Sequence, residues 1–263
     1  MIAGGCLEPC CFRVRIRLPK RNKRLRQVPP ELCCFGVKCG LDIDYAAEKD
    51  TFIMSKKVWD GAVLLAPVPA AVVTCSVQHE DGSAEVNALT VAWTGILSSH
   101  PPKTYISLRP SRYSYDIIKR SGEFAVNLTN EKLVRAADFC GVRSGRNMNK
   151  IEACGLHTEN ASKIGVPILS ESPLSLECRV TDIIHLGSHD MFVADIVAVD
   201  VDDSLLDPSG RLSLEKAGLI AYAHGDYFAL GRRLGDFGFS VRKKKGRSAS
   251  GKRPPKKGKS ENK

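Results

Sequence analysis

Between positions 107 and 114 the sequence reads S-L-R-P-S-R-Y-S, which gathers Ser107, Arg109, Ser111, Arg112, Tyr113 and Ser114 into one short run. Guanidinium groups, serine hydroxyls and a helix start in such proximity can hold a phosphate. Arginine offers a two-pronged donor fork, while hydroxyls and helix N-terminal N–H groups fill the remaining oxygen lone pairs. The same residues also suit a solvated turn followed by a capped helix. Lys150, in S-G-R-N-M-N-K, can bring a further cation to that corner or stand as an ordinary solvated loop lysine. Arg143 and Arg146 are weaker candidates. His189, in G-S-H-D-M-F, titrates near working pH and can orient a ligand or carry charge. It also suits a hydrogen-bonded turn, which Asp190 beside it is expected to stabilise.

Positioning these groups falls mainly to strands. A β-branched run, Val72 to Val77, ends at the turn signal E-D-G-S, and Glu85 to Ile96 reads as a second strand. Pro101-Pro102 turns the chain into a third, Tyr105 to Leu108. Ser111 or Ser114 is expected to cap a helix containing Ile117 and Ile118 and stopping at Gly122. F-A-V-N-L reads as the fourth strand. Thr129 or Asn130 then caps a helix with Leu133, Ala136, Ala137 and Cys140 on one face and Gly141 at its end. Leu174 to Ile184 and Met191 to Val201 read as two long strands, and Asp207-Pro-Ser-Gly as a turn. Strands outnumber helices and short turns join them. The fold class is therefore mainly β with a few helices, a mostly antiparallel sheet forming a closed or split barrel.

Charge divides the 263-residue chain into three parts. The net charge of +10 is matched by residues 241–263 alone, which carry eleven basic residues against Glu261. Residues 1–53 carry +4 and residues 54–240 carry −4, so the body is mildly acidic. Nucleic-acid or anionic-membrane binding is expected to be confined to the tails, with none for the folded domain. The lysine-rich stretch 241–263 is low in complexity and is expected to be a disordered basic tail. Six of the ten cysteines fall in the first 39 residues without a clean metal-ligand spacing, so no metal site is expected. Residues 1–53 are expected to be a poorly structured extension, with Met54 a plausible alternative start to a domain spanning 54–240. No apolar run is long enough to span a bilayer, and the basic residues follow rather than precede the first apolar ones, unlike a secretory leader. Isolated cysteines in apolar contexts go with a reducing, cytoplasmic setting.

Common nucleotide signatures are missing: there is no G-x-x-x-x-G-K-[ST] and no G-x-G-x-x-G after a strand. Instead, N-A-L-T-V-A-W-T-G, S-L-R-P-S-R-Y-S-Y-D-I-I-K-R-S-G-E-F-A-V-N-L, F-C-G-V-R-S-G-R-N-M-N-K and G-S-H-D-M-F-V-A-D-I follow one another in order. Together they resemble the flavin reductase-like family with the FMN-binding split barrel, over roughly Val58 to Ser240. The resemblance implies an FMN-binding homodimer that reduces flavin with NADH or NADPH, or alternatively a non-enzymatic FMN electron carrier served by a partner protein. It implies that Asn87, Thr90, Ala92 and Trp93 lie beside the flavin ring, with small Ala88 and Ala92 admitting it close to the strand. The phosphate would sit at Ser107, Arg109, Ser111, Arg112, Tyr113 and Ser114, with Lys150 near. His189 would lie by the reactive face, where it can orient a nicotinamide or balance charge on the reduced ring. Tyr222 and Tyr227 border the ring or the dimer seam, or simply pack. Hydride transfer to a flavin asks for alignment and electrostatics rather than a strong protein acid or base.

Overall fold

The computed structural model describes residues 55–242. The expectations for residues 1–53, for Met54 as a start and for all but the first two residues of the basic tail lie outside that range. Within it the strands are β1 (Val68–Pro69), β2 (Ala71–Gln78), β3 (Ala84–Val91), β4 (Thr94–Ser99) and β5 (Pro102–Leu108). Helix α1 (Tyr113–Ser121), strand β6 (Glu123–Asn127), and helices α2 (Val134–Val142) and α3 (Lys150–Ala153) come next. The remaining strands are β7 (Thr158–Glu159), β8 (Ile168–Leu169), β9 (Leu174–His185), β10 (Asp190–Val201), β11 (Ile220–Ala223) and β12 (Asp226–Ala229).

Seven strands form one antiparallel sheet in the order β3-β2-β6-β9-β10-β5-β4. Its two edge strands, β3 and β4, are joined by only Ala92 and Trp93, so the sheet must curl until its edges meet. That is a split β-barrel. The expected single strand Glu85–Ile96 is thus broken after Val91, because its two halves belong to opposite edges. Offsets in the β9–β10 register between Val193 and Ala194 and between Ile196 and Ala198 give these two long strands the local bend that curling needs.

Both faces of β2 are buried from Ala71 to Ser76, and its two buried hydroxyls, Thr74 and Ser76, donate to the carbonyls of Pro167 and Gly165. Val73 and Cys75 face the barrel interior with Ile106, Phe124 and Phe192, while Val72 faces outward against Ala137 and Cys140 of α2. Helix α1 packs Tyr115, Ile117 and Ile118 into that interior and ends at Gly122, whose φ of 69° allows its N–H to reach the Ile118 carbonyl at 2.8 Å. A second, smaller sheet pairs β1, β11 and β12. No helix of the described residues is long and apolar enough to cross a membrane.

Candidate functional site

The basic corner forms where β5 leaves the sheet. The chain turns at Arg109, whose carbonyl accepts from the Arg112 N–H at 3.0 Å, and α1 starts immediately after. The expected serine cap is absent. Arg112 occupies the N-cap position in an extended conformation, and no side chain caps the helix. Ser114 is instead buried as the second residue of the helix, where its hydroxyl accepts from Asn87 Nδ2 at 2.7 Å and fastens α1 to β3. The positive end of a nine-residue helix, with Asp116 as the acidic residue of its first turn, therefore meets two exposed arginines with no capping side chain.

The opposite wall is α2 and the loop after it. Asn130, one of the two expected caps, accepts from the Lys132 and Leu133 N–H groups, and Leu133, Ala136, Ala137 and Cys140 make the buried face as expected. Gly141 does not end the helix, which runs to Val142. Its missing side chain serves the approach of β3, since a Cβ there would lie 3.4 Å from Thr90 Cβ. Thr90 Oγ1 donates to the Ala137 carbonyl across the same seam at 2.5 Å. At Gly145 a Cβ would come within 2.7 Å of Asn87 Cγ, so only glycine lets this loop lie on the strand.

Lys150 is not a solvated lysine. It is buried, and its Nζ donates to the carbonyls of Cys140 at 3.0 Å and Arg143 at 3.1 Å, which leaves one of its three donors for a ligand. Burial above all pushes its pKa below the usual lysine value. Arg112 Nη1 reaches the Gly141 carbonyl at 3.2 Å, bridging the two walls. Arg146 lies over the Tyr113 ring, 5.2 Å from its centroid.

At the other end Trp93 and His189 stack at 4.6 Å between ring centroids and a 42° tilt. The Ser107 N–H donates to the Trp93 carbonyl at 2.9 Å, which joins this pair to the basic corner. Tyr222 and Tyr227 stand edge to face at 5.2 Å, with the Tyr227 hydroxyl 3.4 Å from Asp138. Asp190 is buried at the start of β10, accepts from the Tyr115 hydroxyl at 2.5 Å and pairs with His185 at 2.9 Å. It therefore pins the hairpin that carries His189 onto α1, a larger role than stabilising a turn. Burial, then the nearby charges of Arg109 and Arg112, lower the His189 pKa. Its imidazole should titrate by NMR with a midpoint below 6.5; a midpoint above that value would mean the arginines do not reach it.

These walls enclose two cavities of about 440 and 380 Å³ that share Leu89, Thr90, Arg109, Arg112, Gly141 and Val142 and so form one trough. Asn87, Thr90, Arg109, Ser111, Arg112, Tyr113, Ser114 and Lys150 line its basic end; Ala92, Trp93, Ser107 and His189 line the other. Ala88 does not belong to it. It is fully buried on the outer face of β3 against Ala137 and Cys140, small because α2 packs there. Sequence reasoning missed Gly141, Ser144 and Gly145 as wall residues, and the glycines of G-V-R-S-G were the available signal. A trough of this size, cationic and hydroxyl-rich at one end and aromatic at the other, fits a flat heteroaromatic ring carrying a phosphate chain. Among the described residues no cluster of metal-ligating side chains occurs.

The sequence profile of the flavin reductase like domain matches residues 64–231, well over half the chain. The chain belongs to the flavin reductase-like family. A solved structure similar to this flavin reductase-like chain is the flavoredoxin of Desulfovibrio vulgaris (Miyazaki F), 28% identical with a TM-score of 0.65, covering 72% of this chain and all of that one. Another is the FMN-binding protein from Thermus thermophilus with bound 1-cyclohex-2-enone, at 28% identity and a TM-score of 0.54, covering 67% and 93%. An NADPH-flavin oxidoreductase of Streptomyces viridifaciens is 31% identical over 133 residues, 50% of this chain and 65% of that protein. An uncharacterised protein of Aeropyrum pernix is 34% identical over 142 residues, 53% of this chain and 52% of its own length, so this chain spans about half of that relative.

Proposed function

We propose that this flavin reductase-like chain binds FMN in the trough and passes hydride to it from NADH or NADPH, as a cytoplasmic homodimer. The observation that carries the reading is the single trough joining an uncapped helix start with two arginines to the Trp93–His189 pair. Bound FMN supplies a ring that accepts hydride and releases electrons. Arg109, Arg112, Ser111 and the first turn of α1 are the groups to hold its phosphate, with the spare donor of Lys150 beside them. The Arg112 bridge to Gly141 ties the site's two walls together. Trp93 and His189 flank the ring end, and a lowered pKa keeps His189 neutral above pH 6.5, able to hydrogen-bond a nicotinamide without repelling it. Names of similar proteins, flavoredoxin, FMN-binding protein and NADPH-flavin oxidoreductase, support the cofactor and the reductant.

Exposed apolar residues such as Trp59 and Leu65 before the barrel, and Leu234 and Phe237 after it, support a second copy as partner. Four free cysteines in the body support a reducing compartment. Coverage of the whole flavoredoxin chain favours one other reading, a passive FMN carrier reduced by a partner protein.

Two measurements test this. Purified full-length protein should show flavin absorbance or take up FMN stoichiometrically, and should oxidise NADH or NADPH when FMN is present. Bound FMN without turnover of either nucleotide selects the carrier. Failure to bind FMN overturns both.

A further inference from the structure

Behind the basic wall of the trough lies a pair of thiols that the proposed flavin chemistry leaves unused. Cys140, near the end of α2, lines the trough and is buried in the cluster formed with Val72, Ala88, Ala137 and Leu169. Cys154, which closes α3, packs against that same cluster but lines a separate cavity of about 590 Å³ on the far side of the wall. The two cysteines thus sit back to back, one facing each cavity. Both side chains belong to the packing of one cluster, and burial above all, then its neighbour Cys154, pushes Cys140 up to about 12.

Lys150 links them a second time. Its Nζ donates to the Cys140 carbonyl at 3.0 Å, and its own carbonyl accepts from the Cys154 N–H at 3.1 Å. Any change in the spacing of the two cysteines therefore bears on the buried lysine at the phosphate end. Cys154 is partly exposed and Cys140 is not, which orders their roles: the reagent meets Cys154 first, and Cys140 resolves.

We propose that Cys140 and Cys154 form a reversible dithiol–disulfide site that couples oxidant exposure to the trough through Lys150. With hydrogen peroxide as oxidant, the Cys154 thiolate attacks one peroxide oxygen and the O–O bond breaks. Cys154 becomes a sulfenic acid, and the departing hydroxide takes a proton to leave as water. Cys140 sulfur then attacks the Cys154 sulfur, its proton and the sulfenic hydroxyl leave as a second water, and an S–S bond remains. Two electrons pass from the sulfur pair to peroxide. A dithiol reductant returns both thiols by exchange. Forming the bond draws the ends of α2 and α3 together and displaces the Cys140 carbonyl from Lys150 Nζ, weakening the lysine's hold at the phosphate end.

The test uses the full chain, fully reduced, then treated with graded hydrogen peroxide, alkylated and digested with trypsin. The expected product is a cross-link between peptides 136–143 and 151–163, which dithiothreitol removes and Cys154→Ser abolishes. Free, alkylatable Cys140 at peroxide levels that oxidise Cys154 overturns the proposal. So does a cross-linked protein whose FMN affinity, by fluorescence titration, equals that of the reduced form. The expected change is a weakening on the order of 5-fold, the lower end of site-to-site coupling. Cys154 does not line the trough, so Cys154→Ser should bind FMN as the reduced wild type does and lose the response to peroxide. The affinity arm rests on the flavin reading and the cross-link does not. FMN binding to neither form would refute the flavin reading and, with it, the coupling, while the cross-link would still decide the dithiol chemistry.

Discussion

Replacing Glu177 by alanine is expected to cost about 3–5 kcal/mol of folding stability, the range for removing one partner of a buried charged network. Glu177 is fully buried in β9, where its carboxylate accepts from the N–H and hydroxyl of Ser162 at 2.7 Å each. It accepts also from Lys163 N–H at 2.7 Å and Ile164 N–H at 3.1 Å. One side chain thus anchors the loop that packs Ile164 and Val166 over the outer face of the sheet beside Ala125. Alanine leaves those donors unpaired unless the loop lifts into water, and either outcome destabilises the protein. Burial alone would raise the Glu177 pKa, but the hydrogen bonds from Ser162 and Lys163 outweigh it and hold the group below its ordinary 4.5. A depressed carboxylate pKa contributes stability that is present above 4.5 and lost as pH falls through the folded value. The gap between wild type and Glu177→Ala, read from urea unfolding, should therefore narrow in acid. A gap that is small at pH 7, or constant with pH, would show that the loop does not depend on this carboxylate.

Neither that anchor nor the exact walls of the trough could be read from the sequence, although most of the architecture could. In L-S-L-E-C-R-V the glutamate looks like the outward, solvated member of an alternating strand. What buries it is a loop more than ten residues upstream, and no local pattern announces that contact. The strands and the antiparallel barrel were legible because hydrophobic period and turn residues are local properties. The break at Ala92-Trp93 was not, since it follows from where the sheet's edges meet. Ser114 and Lys150 line the trough, but the contacts that place them were not legible: one is a buried tie to Asn87 and the other a buried donor to two carbonyls. Ala88 shows the converse. A small residue in a strand admits whatever lies over it, and here a helix does. Four motifs in order carried the resemblance past these local ambiguities, because each motif also records contacts that its own spacing does not reveal.

Replacing Arg112 by alanine is expected to weaken FMN binding by about 1.5–3 kcal/mol, the worth of a charge-assisted hydrogen bond, or roughly ten- to a hundredfold in Kd. The side chain is exposed at the N-cap of α1, makes one bond to the Gly141 carbonyl and belongs to both halves of the trough. Its loss should barely change unfolding stability, on the order of 0.5 kcal/mol, as for exposed substitutions generally, so the effect separates from misfolding. Arg112→Lys keeps the charge and loses the planar fork, and should fall between wild type and alanine. Unchanged FMN affinity in Arg112→Ala, by fluorescence titration, would remove the residue from the phosphate end. A second readout needs no flavin. Arg112 is among the charges that depress the His189 pKa, after burial and Arg109. Removing it should move the His189 midpoint up toward 6.5. That direction follows from simple repulsion: a cation nearby disfavours the imidazolium, and taking it away relieves the penalty. A midpoint that stays put while FMN affinity falls would mean Arg112 acts on the ligand alone, and the two ends of the trough are electrostatically independent. A midpoint that rises along with the loss of affinity would make the arginine that grips the phosphate also the one that helps keep the histidine at the ring end neutral.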